Sequence, residues 1–148
     1  MQIWIDADAC PKVIKEILFR AATRTKTLVM LVANQPLQIP KSPFIKKTQV
    51  SAGFDVADNH IVKNLHHGDL VVTADIPLAD EVVTKGGIAL NPRGELYTKE
   101  NIKEQLAIRN LHAELRNTGT ISGGPAALGK KEIQAFANRL DKFLNSAQ

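Results

Sequence analysis

The sequence predicts one α/β domain built on a mainly parallel sheet of four or five strands. Short apolar runs of strand length alternate along the chain with longer segments of helical periodicity, which is typical of this class. The runs are apolar on consecutive residues, as expected of parallel strands that are buried on both faces. No repeat, low-complexity tract or linker interrupts the 148 residues, so we expect residues 1–148 to fold as a single domain.

The first half of the chain is predicted to run strand, helix, strand, strand. Residues 2–5 are mostly apolar, and Pro11 then opens a helix whose apolar residues recur at helical spacing. Residues 28–33 form a second buried strand, and residues 34–43, with three prolines, form a loop. The more polar residues 44–51 are predicted to form a strand nearer an edge of the sheet.

The second half is predicted to alternate helices and short strands before two final helices. A helix with an acidic first turn, containing Asp55 and Asp58, ends before Gly68, and residues 70–72 form a buried strand. The remaining predicted elements are a helix from Pro77, a strand at 88–90, a helix capped by Thr98 that runs to about Asn117, and a last amphipathic helix.

Composition limits the classes of function. The net charge of +4 and the pI of about 9.3 are compatible with a polyanionic partner. Cys10 is the only cysteine, which excludes an internal disulfide and zinc sites built on several cysteines. We expect Cys10 to be a small packed residue rather than a reactive thiol. The sequence has no signal-peptide pattern and no apolar run long enough to span a bilayer, so we expect a cytoplasmic protein without a membrane partner.

The aspartates are concentrated where predicted elements begin or end. Asp6 and Asp8 follow the first strand, Asp58 lies at a helix start, and Asp75 follows the strand at 70–72. Such residues could all be helix caps or turn formers. Taken together, they form a set of carboxylate ligands at one edge of a parallel sheet, which predicts a site for Mg2+ or Mn2+.

Four stretches resemble the signature motifs of the YaiI/YqxD family of uncharacterised bacterial proteins. They are IWIDADACP at 3–11, GFDVAD at 53–58, GDLVVTADIPLA at 68–79 and GGP at 123–125. That family resembles PIN-like domains, whose other members are mostly metal-dependent ribonucleases. The resemblance implies a three-layer fold with helices on both faces of the sheet.

The resemblance also implies roles for particular residues. Asp6, Asp58, Asp75 and Asp80 occupy the positions of the acids in the PIN pattern, so they are the expected catalytic residues. Asp8 is additional to that pattern and is expected to bind metal together with Asp6, Asp58 and Asp75. Whether Asp55 or Asp58 faces the site is left open.

Substrate contacts are expected outside the acidic cluster. Lys12, Arg93 and Arg116 are our candidates for phosphate binding. The glycine-rich segment 118–129, which includes Gly123 and Gly124, is expected either to approach a phosphate through backbone amides or to be an ordinary connection between helices.

The predicted function is a divalent-metal-dependent nuclease whose partner is a nucleic acid, most naturally RNA. The alternative is a PIN-like module that binds RNA or a protein without turnover. A metal-dependent phosphomonoesterase is third, because the spacing of Asp6 and Asp8 resembles the start of haloacid-dehalogenase phosphatases. The sequence carries no signal for an oligomeric state.

Overall fold

The fold is an α/β sandwich with a single six-stranded sheet. A computed structural model describes residues 1–53, 55–117 and 128–146. In chain order the elements are β1 (Ile3–Asp6), a 3-10 turn (Ala7–Ala9), α1 (Lys12–Thr25), β2 (Val29–Ala33), β3 (Ile45–Gln49), α2 (Val56–Asn64), β4 (Leu70–Val72), α3 (Ile76–Thr84), β5 (Ile88–Leu90), β6 (Leu96–Tyr97), α4 (Ile102–Asn117) and α5 (Lys130–Ser146).

The sheet has the strand order β3-β2-β1-β4-β5-β6. The first five strands of this order are parallel, and β6 alone runs antiparallel to its neighbour β5. The chain moves outward from β1 through β2 to β3, and then returns to place β4 on the other side of β1. The carboxyl ends of β1 and β4 therefore form the switch point at which open parallel sheets carry their sites.

Helices cover both faces of the sheet. On one face, Ile3 and Ile5 of β1 pack in a core with residues of α1 and α5, including Phe136. On the other face, Trp4 of β1 packs in a second core with residues of α2, α3 and α4, including Ile61. This alternation of side chains along β1 confirms the predicted α/β class and the helical layer on each face.

The strand count differs from the prediction of four or five. The additional strand is β6, which has only two residues and pairs with β5 after the turn at residues 91–94. Two residues are too few to show any periodicity, so the sequence pattern could not indicate this strand. The polar strand β3 lies at the edge of the sheet, as predicted.

The amino-terminal end of β4 is held by a buried carboxylate. Asp69 is 3% exposed. It accepts hydrogen bonds from the backbone N–H of Gln2 (3.1 Å), the indole Nε1 of Trp4 (3.2 Å) and the backbone N–H of His66 (3.0 Å). These donors join β1 to the loop before β4.

Over the described ranges, no helix is both long and apolar enough to cross a membrane.

Candidate active site

An open pocket of about 250 Å3 lies at the carboxyl ends of β1 and β4. Four of the predicted ligands, Asp6, Asp8, Asp58 and Asp75, line this pocket, which we call the carboxylate pocket. They come from the end of β1, the turn after it, the first turn of α2 and the start of α3. The rest of its lining is Asn34, Gly53, Asp55, Val56 and Ala57.

Asp6 is the most buried of these carboxylates. It is the last residue of β1 and is 9% exposed. The hydroxyl of Thr73 donates to Asp6 Oδ2 (3.0 Å) and accepts from the backbone N–H of Asp75 (3.0 Å). Burial raises the pKa of Asp6; the Thr73 hydrogen bond opposes this, and the charges of Asp75 and Asp8 add to it.

Asp75 caps a helix and also lines the carboxylate pocket. It is the N-cap of α3, and its Oδ1 accepts a hydrogen bond from the backbone N–H of Leu78 (3.0 Å). Its carboxylate nevertheless lines the carboxylate pocket. The helix cap is therefore present, and the part of Asp75 in a metal site stays a prediction.

Asp58 is a partly buried carboxylate with a raised pKa. Partial burial, together with the neighbouring charges of Asp75, Asp6 and Asp55, raises its pKa to about 7. A hydrogen bond between the Asp58 and Asp75 side chains favours the protonated form of Asp58. Carboxylates from three different elements are thus close enough to repel one another.

Asn34 brings a neutral oxygen to the same pocket. It follows β2, and its backbone N–H donates to Asp8 Oδ2 (2.7 Å) while its carbonyl accepts from Gln49 Nε2 (3.3 Å). These two bonds fix the backbone at Asn34. Its side-chain Oδ1 is buried and finds no hydrogen-bond partner among the described residues. Such an oxygen is costly unless something satisfies it.

The carboxylate and amide oxygens of this pocket suit a hard divalent cation such as Mg2+. Within the described ranges, no three His, Cys, Asp or Glu side chains are arranged so that they could hold a metal ion by themselves. Mg2+ does not need such a cage, because it keeps several waters and binds through one or two carboxylates together with substrate phosphates. An open pocket with mutually repelling carboxylates and an unsatisfied amide oxygen suits this mode of binding.

Sequence comparison decides the family. A family model described as "Uncharacterized BCR, YaiI/YqxD family" matches residues 4–146. The chain belongs to this family. UPF0178 proteins from Maridesulfovibrio salexigens and Pectobacterium carotovorum are 64% and 59% identical to it, over 97% and 100% of this chain and 95% and 99% of their own lengths.

A comparison of structures finds a more distant likeness. The crystal structure of Rae1 (YacP) from Bacillus subtilis (W164L mutant) aligns over all of both chains with 16% identity and a TM-score of 0.43. A likeness of this size carries no inference about the activity of the YaiI/YqxD chain.

The other residues predicted for the site are placed elsewhere or lie outside the described part of this YaiI/YqxD chain. Asp80, in α3, and Lys12, an exposed residue at the start of α1, do not line the carboxylate pocket. Arg93 lines a neighbouring pocket, with its Nη1 3.9 Å from Glu132 Oε1. The remaining predicted residues, the Arg116 side chain, Gly123 and Gly124, fall outside the described residues.

The structure also answers the question left open about α2 and adds two residues. Both Asp55 and Asp58 line the pocket. Thr73 and Asn34 were not predicted for the YaiI/YqxD site. Thr73 stands two residues before Asp75 in a stretch that the family motif covers, so its position was a usable signal. Asn34 had none, because a loop asparagine after a strand is most often a turn residue.

Proposed function

We propose that this YaiI/YqxD protein is a divalent-metal-dependent nuclease that hydrolyses phosphodiester bonds in RNA. One observation carries the proposal: Asp6, Asp58 and Asp75 reach one open pocket from three elements at the sheet's switch point, where burial and neighbouring carboxylates raise the pKa of Asp6 and of Asp58. Carboxylates that lie close together in a cleft, with raised pKa values and no cationic side chain among the residues that line it, are typical of a functional site. Mg2+ or Mn2+ is the cofactor that this donor set favours.

Some residues of the pocket would bind the cation, and others fix the orientation of those ligands. Asp6, fixed by Thr73, and Asp75, fixed as a helix cap, present carboxylate oxygens in set positions, and Asp58 lies between their charges. When bound, the cation would supply a water of lowered pKa and neutralise charge on the phosphoryl oxygens. Asp8 accepts from the backbone N–H of Asn34 and so fixes that residue in the wall of the pocket.

Charge supports a nucleic acid substrate. A phosphodiester would be repelled by the carboxylates alone, so a bound cation and basic residues outside the pocket are both required for binding. The chain carries a net charge of +4, and Arg93 lines a pocket together with Ala74, the residue before Asp75. The choice of RNA rests on the family resemblance, and the remaining assignments of Asp80, Lys12 and Arg116 to this reaction stay predictions.

The second candidate function is a module that binds RNA without cleaving it. It is favoured by the finding that no three acidic, imidazole or thiol groups of the described residues are arranged to hold a metal by themselves. The phosphomonoesterase hypothesis is weaker, because Asp6 is nearly buried and one of its oxygens accepts from Thr73, which leaves it poorly placed as a nucleophile.

The test is cleavage of labelled single-stranded and structured RNA by purified protein with Mn2+, Mg2+ or chelator. We expect metal-dependent cleavage that falls by at least about a hundredfold in Asp6→Asn and in Asp75→Asn, because each loses a charged oxygen ligand. Asp141→Asn is the matched control, since Asp141 of α5 has a half-exposed side chain that pairs with Arg24 of α1. Cleavage that survives both chelator and the two site variants would indicate a contaminant, and binding without any cleavage would favour the second candidate.

A further inference from the structure

A second pocket, of about 400 Å3, differs in charge from the carboxylate pocket. Among the described residues that line it, Arg93 is basic and none is acidic, whereas the carboxylate pocket is lined by acids and by no basic residue. The two pockets share the loop that follows β4: Ala74 lines the second pocket, and the next residue, Asp75, lines the carboxylate pocket. We call the second pocket the Arg93 pocket.

The backbone at Arg93 is fixed by the turn between β5 and β6. Asn91 Oδ1 accepts from the backbone N–H groups of Arg93 (2.7 Å) and Glu95 (3.3 Å). Gly94 has a φ of +88° and lies so close to α5 that a Cβ on it would be 2.7 Å from the carbonyl carbon of Ala135. The turn is thereby packed against α5, and the Arg93 side chain extends from a fixed backbone.

The guanidinium of Arg93 has N–H groups that no described residue accepts. The nearest carboxylate, that of Glu132, has its Oε1 3.9 Å from Arg93 Nη1, which is beyond hydrogen-bond distance. Glu132 is placed instead by the start of α5, where its Oε2 accepts from the backbone N–H of Gly129 (3.1 Å). The Arg93 side chain is 27% exposed, so its donors are partly withdrawn from water as well. A guanidinium in this state has donors left for an anion.

We propose that Arg93 binds a second phosphate group of the substrate, next along the chain to the phosphodiester that is cleaved at the carboxylate pocket. This inference rests on the proposed function and specifies its substrate as a chain with at least two phosphates. Arginine pairs with a phosphate through two parallel hydrogen bonds of about 2.7–2.9 Å, which is closer than Glu132 approaches. The long pair with Glu132 is weak, because both side chains are partly exposed, so a phosphate can replace it. The carboxylates repel phosphate until a cation is bound, whereas Arg93 attracts phosphate without one.

The first experiment measures the binding of inorganic phosphate to the whole chain in chelator, where no cation contributes. The backbone N–H signals of Ala74 and Gly94 in the 15N-labelled protein are followed by NMR during the titration. We expect saturable binding to wild type and a Kd about tenfold higher in Arg93→Gln, with no change in Arg139→Gln, which alters an exposed arginine of α5. Arg93→Lys keeps the charge but not the two parallel donors, so its Kd should lie between those of wild type and Arg93→Gln.

Glu132→Gln should change the same Kd in the opposite direction. Glutamine keeps an oxygen for the backbone N–H of Gly129 but removes the charge that competes for Arg93. We expect the Kd of phosphate to fall about threefold, by the loss of a weak ion pair. Glu104→Gln, at an exposed position in the first turn of α4, is the matched control and should leave the Kd unchanged.

The second experiment tests whether the phosphate at Arg93 belongs to the substrate. A fluorescein-labelled trinucleotide with two charged linkages is compared with analogues in which the first or the second linkage is a neutral methylphosphonate. Binding is measured by anisotropy with Ca2+ in place of Mg2+. For the analogue that is neutral at the Arg93 position, we expect a Kd about tenfold above that of the parent with wild type, and no such difference with Arg93→Gln.

The outcomes separate this inference from the proposed function. No saturable binding of phosphate to wild type, unchanged binding in Arg93→Gln, or trinucleotide differences that Arg93→Gln leaves intact for both analogues would each overturn the phosphate site. If wild type nevertheless cleaves RNA with Mn2+, the nuclease stands and the phosphate site fails. If Arg93→Gln loses phosphate and one trinucleotide difference while wild type never cleaves, the phosphate site stands as part of a binding module and the nuclease fails.

Discussion

Asp69 and Asp75 flank the same three-residue strand, β4, and their surroundings differ in kind. Asp69, at the amino-terminal end, is buried among N–H donors from Gln2, Trp4 and His66. Asp75, past the carboxyl end, faces Asp6 and Asp58, whose pKa values are both raised. A carboxylate surrounded by hydrogen-bond donors stabilises the fold, whereas carboxylates that face one another destabilise it until a cation or a proton is bound.

The comparison teaches how to separate structural from functional acids in this fold. Burial alone does not do it, because Asp6 and Asp69 are both largely inaccessible. The number of hydrogen bonds that each carboxylate accepts does separate the two kinds of acid. Asp69 receives three, which link β1 to the loop before β4, while Asp6 receives one, from Thr73. Substitutions of Asp69 and of Asp58, which faces Asp75 across the pocket, should therefore have opposite effects on stability.

The largest effect is expected at Asp69. Asp69→Ala should lower the free energy of unfolding by about 3–5 kcal/mol, because the buried N–H groups of Gln2, Trp4 and His66 each lose their acceptor. Urea denaturation followed by far-UV circular dichroism measures it. Asp141→Ala serves as the control, since its exposed ion pair with Arg24 contributes at most about 1 kcal/mol. Similar losses in both variants would show that the donors around Asp69 contribute nothing particular.

The next effect concerns the cation at the other end. Asn34→Ala should weaken Mn2+ binding about tenfold, since it removes the buried Oδ1, and Asn34→Asp should bind at least as tightly as wild type because a charged oxygen replaces a neutral one. Isothermal titration calorimetry with Mn2+ alone measures both, without reference to activity. Asn110→Ala, at an exposed position on α4, is the control. If Asn34→Ala binds Mn2+ as wild type does, the amide oxygen is not part of the cation site.

These residues also mark what could be predicted from the sequence. Apolar runs identify four of the five parallel strands, and the more polar stretch 44–51 is predicted as the strand near an edge. The rule that parallel strands end at one edge brings Asp6, Asp58 and Asp75 together. Strand β6 could not be predicted, because its two residues pair only once the turn at 91–94 has formed. The sequence pattern also cannot distinguish Asp69 from Asp75, since both flank β4. They differ in the hydrogen-bond donors that the rest of the fold places around each.

Cys10 illustrates the same limit in a single residue. Its position before Pro11 at a helix start allows a reactive thiol as well as a packed side chain. The structure decides for packing: Cys10 is 8% exposed, and burial raises the pKa of its thiol to about 12. Local sequence indicates a helix terminus, but the burial that controls the pKa depends on the core formed by β1, α1 and α5.

The smallest effect expected is a pH dependence of stability, and its sign follows from Asp58. Its pKa is raised from an ordinary 3.8 to about 7, so between these values the folded chain binds a proton that the unfolded chain does not. In chelator, wild type should therefore lose stability as the pH rises from about 4 to about 7, whereas Asp58→Asn lacks this term and should be the more stable protein at pH 8. Because Asp58 is only half-buried, solvent screens the repulsion and the gain should stay below about 1 kcal/mol. Urea midpoints at pH 5 and pH 8 measure this pH dependence, with Asp141→Asn as the control. A stability difference between wild type and Asp58→Asn that does not grow with pH would mean that the carboxylates do not repel one another as the geometry indicates.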